Sequence, residues 1–281
     1  MRDPLKRQFL IFVGPTLLAF SIAFLIPLVL GVYLSFTDFT TVTDAVFVGL
    51  NNYKTAFSDS AGFVNSLFFT VKFTIVSVIS VNVIAFLLAL ALSGEIRGRS
   101  FFRTVFFMPN LIGGIVLGYI WQLIFNGLLL PFGQTLTASA TYGFWGLVVL
   151  MNWQMIGYMM VIFIAGLSTI PTSIYEAAKV DGAGPFRTLF SVTLPNMMPS
   201  ITICLFLTLT NSFKLFDQNL ALTAGAPANE TAMLALDIYK TFYGRSGYEG
   251  VGQAKAVIFS VLVAVIALLQ LYFTRRREHE L

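Results

Sequence analysis

Polar side chains interrupt two long apolar stretches of this sequence at helical spacing. Thr208, Asn211 and Ser212 stand at positions i, i+3 and i+4, which share one face of an α-helix. A second stretch contributes amide and aromatic side chains: Asn152, Trp153, Gln154 and Tyr158. Such groups can line a path for a polar solute, or they can hydrogen-bond neighbouring helices to each other at about 0.6–2 kcal/mol each. The residues alone leave both interpretations open.

The chemistry that these residues cannot perform is equally informative. The sequence has one cysteine, Cys204, and one histidine, His279, so it predicts no disulfide framework and no histidine-rich metal site. No paired acids lie inside the apolar stretches, so no catalytic residues and no metal ligands are predicted. The phosphate-cradling pattern GxxxxGK[ST] is also missing. We therefore expect a non-enzymatic chain that binds no cofactor of its own.

The elements that must position the polar residues are membrane helices. Of the 281 residues, 57% are hydrophobic and only 11% are charged, with a mean hydropathy of +0.83. A span needs roughly 20 apolar residues. The sequence predicts an all-α polytopic membrane protein with about six spans: 9–36, 63–93, 101–125, 142–167, 192–216 and 251–274. We expect the first span to be uncleaved, and we expect Pro195 and Pro199 to mark kinks or helix starts in the fifth.

Basic residues indicate the orientation. Eleven of the 17 Lys and Arg fall on one side if both termini are cytoplasmic: Arg2, Lys6, Arg7, Arg97, Arg99, Arg103, Lys179, Arg187, Arg275, Arg276 and Arg277. The positive-inside rule thus predicts cytoplasmic termini. Residues 217–250 become a long extracytoplasmic loop, in which "ETAMLALDIYKTFY" has the spacing of a short amphipathic helix. That helix covers the bundle or contacts a partner.

Lys214 is a charge near the end of a predicted span. A lysine at the bilayer centre costs roughly 2.5–3.5 kcal/mol. Asp217 follows three residues later, which permits an i, i+3 pair. We expect Lys214 either to pair with Asp217 or to reach the membrane surface.

In span three, Gly114 and Gly118 form a GxxxG pattern, which predicts close helix packing.

The segment 168–190 is a polar interruption that topology places in the cytoplasm. Ser173 and Glu176 fit a capping box at the start of a helix. Gly182 and Gly184 can supply the positive φ that ends it, and Pro185 can open a second helix. The sequence therefore predicts two short helices joined at a sharp angle. Local chemistry alone does not distinguish an ordinary loop from a docking element.

The same segment resembles a known family. "EAAKVDGAGPF" followed by Leu194-Pro195 looks like the EAA loop of binding-protein-dependent ABC importer permeases. Two further stretches resemble the carbohydrate branch, which includes maltose, oligosaccharide and glycerol-phosphate permeases: "NWQMIGYMMVIFIAGLSTIP" and "FDQNLALTAGAPANET". The second stretch departs at Ala224 and Ala226, where the family often has glycine. The resemblance covers nearly the whole chain, with the first 60 residues least specific.

The resemblance implies roles for particular residues. It implies a coupling helix at 173–184 that docks on an ATPase, with these contact residues: Glu176, Ala177, Ala178, Asp181, Gly182 and Ala183. It also implies a sugar path with these lining residues: Met155, Tyr158, Thr208, Asn211 and Ser212. Four further residues join the path by their polarity and position: Asn152, Gln154, Lys214 and Asp217.

The resemblance also implies partners and a location. A bacterial cell-membrane importer of this kind pairs one permease with a second homologous permease. A cytoplasmic ATPase dimer supplies ATP and Mg²⁺ chemistry, and an extracytoplasmic solute-binding protein delivers the sugar. No nucleic-acid partner is expected. Residues 1–281 then form a single permease domain of the importer-type fold.

Two other classes of polytopic membrane protein fit the sequence less well than an importer permease. A self-contained secondary transporter often shows inverted repeats and unwound spans at intramembrane ion sites. The sequence shows no internal repeat and no mid-membrane carboxylate pair that could carry a proton. An intramembrane enzyme needs a catalytic constellation at depth, which is equally missing. Co-purification with an ATPase distinguishes the importer permease from both.

Overall fold

The computed structural model describes residues 4–58, 62–94 and 96–278, with side chains described from residue 12 to residue 272. The sequence-based expectations for Arg2 and His279 fall outside this part of the chain, as do those for the side chains of Lys6, Arg7 and Arg275–Arg277. The chain divides into two compact units, Met1–Phe63 with Ile238–Ser260 and Val64–Asp237 with Val261–Leu281.

The structure is helical, with one small hairpin. Its elements in chain order are α1 (Pro4–Phe20), α2 (Ile26–Leu34), β1 (Thr37–Asp38), β2 (Val46–Phe47), α3 (Asn51–Ala56), α4 (Phe63–Ser93), α5 (Arg99–Phe107), α6 (Gly114–Leu129), α7 (Ala140–Thr169), α8 (Thr172–Val180), α9 (Pro185–Thr188), α10 (Leu194–Asn196), α11 (Met198–Phe213), α12 (Asp217–Leu222), α13 (Leu234–Gly244) and α14 (Glu249–Glu278). Short π-helical segments join α1 to α2 and α9 to α10. These elements confirm the all-α polytopic class.

Within the described residues, five helical segments are long and apolar enough to span a membrane. They are Phe12–Leu34, Phe63–Ser93, Gly114–Phe132, Ala140–Thr169 and Glu249–Tyr272. A sixth span results if two consecutive helical segments, Pro185–Asn196 and Met198–Phe213, are counted as one broken span. The axes of these two segments differ by 73°, and the bend lies at Met197. The bend lies between Pro195 and Pro199, which confirms the kink predicted there.

The predicted bounds of the third span were wrong. Residues 101–125 are not one helix, because α5 ends at Phe107 and a 3₁₀ turn, Met108–Leu111, follows it. Pro109 lacks the amide that a continuing helix needs, and Ile112 and Gly113 are extended, with ψ of 132° and 140°. The spanning helix begins only at Gly114. Residues 99–107 form a separate amphipathic element.

The unit containing Val64–Asp237 is built around α7. The α7 helix is the most buried of the candidate spans, with 61% of its most apolar window inside the protein. Phe69 meets Phe144 at 5.7 Å between ring centroids, and Phe86 meets Phe163 at 5.5 Å, so α4 and α7 run parallel. Cys204 of α11 contacts the Met159 carbonyl at 3.8 Å. The carboxyl ends of α4 and α7 therefore lie at one end of this unit, where α5 and α8 begin.

The unit containing Met1–Phe63 holds the hairpin. Thr37 pairs with Phe47 and Asp38 with Val46. Asn52 of α3 donates from Nδ2 to the carbonyls of Ser35 (3.0 Å) and Thr37 (2.8 Å), which ties α3 to the start of the hairpin.

The carboxylate of Asp44 closes the hairpin loop. It accepts hydrogen bonds from the Thr40 hydroxyl and from the amides of Thr40 and Thr41. These bonds, the Thr40 hydroxyl first, lower the pKa of Asp44 from its ordinary value of 3.8 to about 2. The hairpin therefore keeps an ionised cap at any ordinary pH.

Candidate functional site

A polar cleft of about 280 Å³ opens where α7, the break after α11 and the 3₁₀ turn at Met108–Leu111 meet. Its lining residues are Asn110, Met151, Gln154, Met155, Asn211, Lys214, Leu215, Phe216, Asp217 and Gln218. Amides dominate the polar part of this lining, and two methionines give it an apolar floor. Amides of this kind donate to and accept from neutral hydroxyl groups.

The cleft exists because α11 stops at Phe213. Lys214 leaves helical geometry with φ of −93° and ψ of 10°, and α12 starts only at Asp217. Asn211, one turn before the break, is exposed and donates from Nδ2 to the Leu207 carbonyl at 2.8 Å. Its side-chain oxygen has no hydrogen-bond donor among the described residues, so that oxygen can accept from a solute.

Two glutamines hold the walls of the cleft together. Gln218 donates from Nε2 to Gln154 Oε1 at 2.7 Å, and Gln154 donates to the Ile112 carbonyl at 3.5 Å. This chain links α12, α7 and the extended residues before α6. Because Gln154 is buried, its orientation is set by these bonds rather than by water.

Of the two alternatives expected for Lys214, the ion pair with Asp217 does not form. Both side chains are exposed on the cleft, and no ion pair joins them in the described part of the chain. The physical reason is that the helix ends between them, so the i, i+3 geometry required for pairing is lost. Two independent charges therefore border the cleft.

Four of the other predicted path residues lie away from this cleft. Asn82 of α4 donates from Nδ2 to Thr208 Oγ1 at 3.2 Å, and Asn152 donates to Ser80 Oγ at 2.9 Å. These two contacts, which we call the interhelical seam, join α4 to α11 and to α7. Ser212 is buried one turn beyond Thr208, and its hydroxyl has no partner among the described residues.

Tyr158 is half-buried against α5. Its ring packs on Phe107 with 6.2 Å between centroids. Thus the structure brings five of the predicted path residues together on the cleft, namely Met155, Asn211, Gln154, Lys214 and Asp217. It places Tyr158, Thr208, Ser212 and Asn152 among neighbouring helices.

Sequence reasoning missed half of the cleft. The missed residues are Asn110, Met151, Leu215, Phe216 and Gln218. Gln218 carried a usable signal, since an amide directly follows Asp217 at a helix start. Asn110 carried no such signal in the sequence, because its position on the cleft depends on the break between α5 and α6, which the sequence did not predict.

The two glycines of the GxxxG pattern in α6 pack against α12. A side chain at Gly118 would meet Ala221 Cβ at 2.5 Å, and one at Gly114 would meet Asp217 Cβ at 2.8 Å. The prediction of close packing at this pattern is confirmed, and the partner is the short helix that carries one wall of the cleft.

The loop after α12 is fixed by buried polar groups. Asn219 donates from Nδ2 to the Thr231 carbonyl at 2.8 Å and accepts from the Met233 amide at 2.9 Å. Ala224 has a positive φ of 48°, at a position where the resembled family often has glycine. In the segment predicted to be amphipathic, the side chains of Met233 and Leu236 are fully buried.

The second candidate region is the elbow formed by α8 and α9. The α8 helix begins at Thr172, after Pro171, and no side chain caps it. The predicted capping box was wrong, because the backbone becomes helical one residue too early for Ser173 to stand outside the helix. Gly182 has a φ of +72°, which confirms its predicted role, whereas Gly184 has a φ of −70°. Pro185 opens α9 as predicted.

The surface of the elbow is accessible. Glu176, Ala177, Asp181 and Gly182 are exposed, Ala183 is half-buried, and Ala178 is buried. Two large apolar side chains that the sequence did not single out, Val180 and Phe186, stand out with exposed fractions of 88% and 78%. The elbow thus presents exposed charges of both signs, Glu176 and Asp181 with Lys179 and Arg187, beside the apolar Val180 and Phe186.

Among the described residues, no cluster of three or more His, Cys, Asp or Glu could hold a metal ion.

Comparisons with known proteins define the class. Residues 81–279 match the family described as "Binding-protein-dependent transport system inner membrane component". The chain belongs to this family and is an integral membrane permease subunit.

Several curated relatives align over nearly their whole length. The probable starch degradation products transport system permease protein of Thermoanaerobacterium thermosulfurigenes is 46% identical over 96% of this chain and 95% of its own. The multiple sugar-binding transport system permease protein of Streptococcus mutans is 32% identical over 91% of each chain.

A solved structure shares the fold. A chain from a bacterial alginate ABC transporter, in complex with an alginate pentasaccharide-bound periplasmic protein, superposes with a TM-score of 0.81. The match covers 98% of this chain and 96% of that one, at 21% identity. At this identity the likeness concerns the fold.

Proposed function

We propose that this chain is one permease subunit of an ATP-driven, binding-protein-dependent importer of sugars, with oligosaccharides as the substrate class. The observation that carries the proposal is the amide-rich cleft beside α7 and the α11 break. Neutral amides and a methionine floor suit the hydroxyl groups and apolar ring faces of a sugar. Relatives named for starch degradation products and for multiple sugars support the substrate class.

The proposed assembly contains a second homologous permease, a cytoplasmic ATPase dimer and an extracytoplasmic solute-binding protein. ATP and Mg²⁺ bind the ATPase, and this chain holds no cofactor. Both termini face the cytoplasm, as the distribution of basic residues favours. The elbow would then lie on the cytoplasmic side, and the loop 217–250 on the outer side.

Mechanically, the elbow transmits the closure of the ATPase to the bundle. A conformational equilibrium shifts only through a contact that differs between its two states. Glu176, Asp181 and the exposed Val180 and Phe186 supply such a contact surface. The α8 helix follows the carboxyl end of α7, and α7 carries Gln154 and Met155 of the cleft. A push on α8 therefore reaches the cleft through a continuous helix.

A charge reversal tests the coupling role. Glu176→Lys should abolish sugar uptake and release the ATPase on purification, while membrane insertion stays normal. Gly182→Pro should do the same, because proline cannot adopt the φ of +72° that the elbow needs. The measurements are uptake into proteoliposomes and co-purification of the ATPase.

Glu230→Lys is the matched control. It makes the same charge change on an exposed side chain next to Thr231, which packs on Gly143 at the amino end of α7 and thus at the other end of that helix. The control should keep the ATPase bound. Normal uptake in Glu176→Lys would contradict the coupling role, and proton-coupled uptake by the purified chain alone would support a secondary transporter instead.

A further inference from the structure

The α5 helix carries an apolar strip that faces away from the bundle. Phe101, Phe102, Val105 and Phe106 fall within about 140° of arc at 3.6 residues per turn. All four are exposed, Phe101 by 67%. Since α5 lies outside the candidate spans, this strip is not explained by a helix that crosses the membrane.

Contacts on the other side of α5 prevent the strip from turning inward. Gly157 of α7 backs directly onto the Phe106 carbonyl, and Phe107 packs on Tyr158. Arg103 donates from Nη2 to the Leu92 carbonyl at 2.9 Å, at the carboxyl end of α4. The helix is therefore held in one orientation, with the apolar strip outward.

Two exposed arginines stand at the amino end of the strip. Arg97 and Arg99 flank Gly98, which has a φ of +81°, and both arginines are exposed. No acidic residue lies in the first turn of α5, and no side chain caps it. Cations next to the positive end of a helix dipole are unfavourable, so an anion placed among them removes that cost. Guanidinium groups bind phosphate by paired hydrogen bonds.

We propose that α5 lies in the membrane surface and that Arg97 and Arg99 bind the phosphate of an anionic phospholipid. The acyl chains of this lipid cover Phe101, Phe102, Val105 and Phe106. A basic end beside an aromatic strip is the pattern of a helix that lies in the interface of an anionic bilayer. This site is independent of the sugar path, and Arg103 positions it without touching the lipid.

The test compares the complete transporter with two variants in nanodiscs of phosphatidylcholine mixed with phosphatidylglycerol. Native mass spectrometry measures the phosphatidylglycerol that the complex retains. Arg97→Gln/Arg99→Gln should weaken retention about fivefold per arginine, or about 25-fold in total, on the scale of one basic side chain at an anionic surface. Lys54→Gln/Arg245→Gln, which removes two charges elsewhere, should leave retention unchanged.

A photoreactive phenylalanine analogue at position 101 identifies what covers the strip, whatever the variants do to folding. Crosslinks to lipid acyl chains support the proposal. Crosslinks to the second permease or to the ATPase would overturn it, as would retention of phosphatidylglycerol that the double variant leaves unchanged.

Discussion

The cleft and the interhelical seam use the same kinds of side chain for opposite purposes. Asn152 and Gln154 are two residues apart on α7, yet Asn152 hydrogen-bonds Ser80 of α4 and Gln154 faces the cleft. On α11, Thr208 is buried against Asn82 while Asn211 is exposed. Residue type is therefore a poor guide to a path in a membrane bundle. The helix face and the neighbouring element decide whether an amide binds a solute or another helix.

The largest effect is expected where α5 and α7 touch, because α7 contributes Gln154 to the cleft and Asn152 to the seam. Gly157→Val places a side chain against the backbone of Phe106 and Phe107, which cannot yield as a flexible side chain can. The variant should fail to accumulate as folded protein, as measured by detergent size-exclusion chromatography. Gly127→Val, at a glycine with open space around it, is the matched control and should fold. Full accumulation of Gly157→Val would show that the contact is looser than described.

An identical substitution in each region separates their roles. Asn211→Leu in the cleft should lower sugar uptake about five- to tenfold at saturating binding protein, on the scale of one lost hydrogen bond and an unpartnered hydroxyl. Its thermal stability should stay close to that of the wild type, because Asn211 is exposed. Asn152→Leu in the seam should show the reverse, with uptake per folded molecule retained and stability lowered. If both variants lose uptake equally, the path includes the seam.

A double-mutant cycle measures the seam directly. Asn82→Ala, Thr208→Val and the double variant should give a coupling free energy of about 0.6–1.7 kcal/mol, the range for hydrogen bonds between membrane helices. Chemical unfolding in detergent provides the four stabilities, those of the wild type and of the three variants. Asn211→Ala combined with Asn82→Ala serves as the control cycle and should be additive. A coupling of zero between Asn82 and Thr208 would remove the structural explanation for Thr208.

The smallest effect concerns the hairpin, which lies outside both regions. The pKa of Asp44 is lowered on folding, so its contribution to stability is fully present above 3.8 and is lost as pH falls through about 2. Protection of the Thr41 amide against hydrogen exchange should persist at pH 4.5 and fade only in that acidic window. Asp44→Asn should remove this pH dependence, with no change in uptake at neutral pH. Fading near the ordinary pKa instead would contradict the hydrogen-bonded cap.

Sequence reasoning succeeded where a local rule decides the outcome. Apolar length located four of the spans to within about three residues at each end. The positive φ of Gly182 and the kink near Pro195 followed from backbone chemistry. It failed where tertiary contacts decide. The end of α11 before Lys214 removed the ion pair, one of the two alternatives expected for that lysine, and the break near Pro109 moved the start of span three. Only the folded arrangement of α4, α7 and α11 separates Thr208 from Asn211.

The close packing at Gly114 and Gly118 limits the degrees of freedom of the transporter. Because the side chains of Asp217, Gln218 and Ala221 pack directly on Gly114 and Gly118 of α6, Asp217 and Gln218 cannot shift independently of the span that supports them. The wall of the cleft formed by α12 therefore moves together with the membrane-spanning helix α6, and does not move as a separate loop. The hydrogen bond between Gln218 and Gln154 joins this wall to α7, so the distance between these two side chains reports how that span is oriented relative to α7.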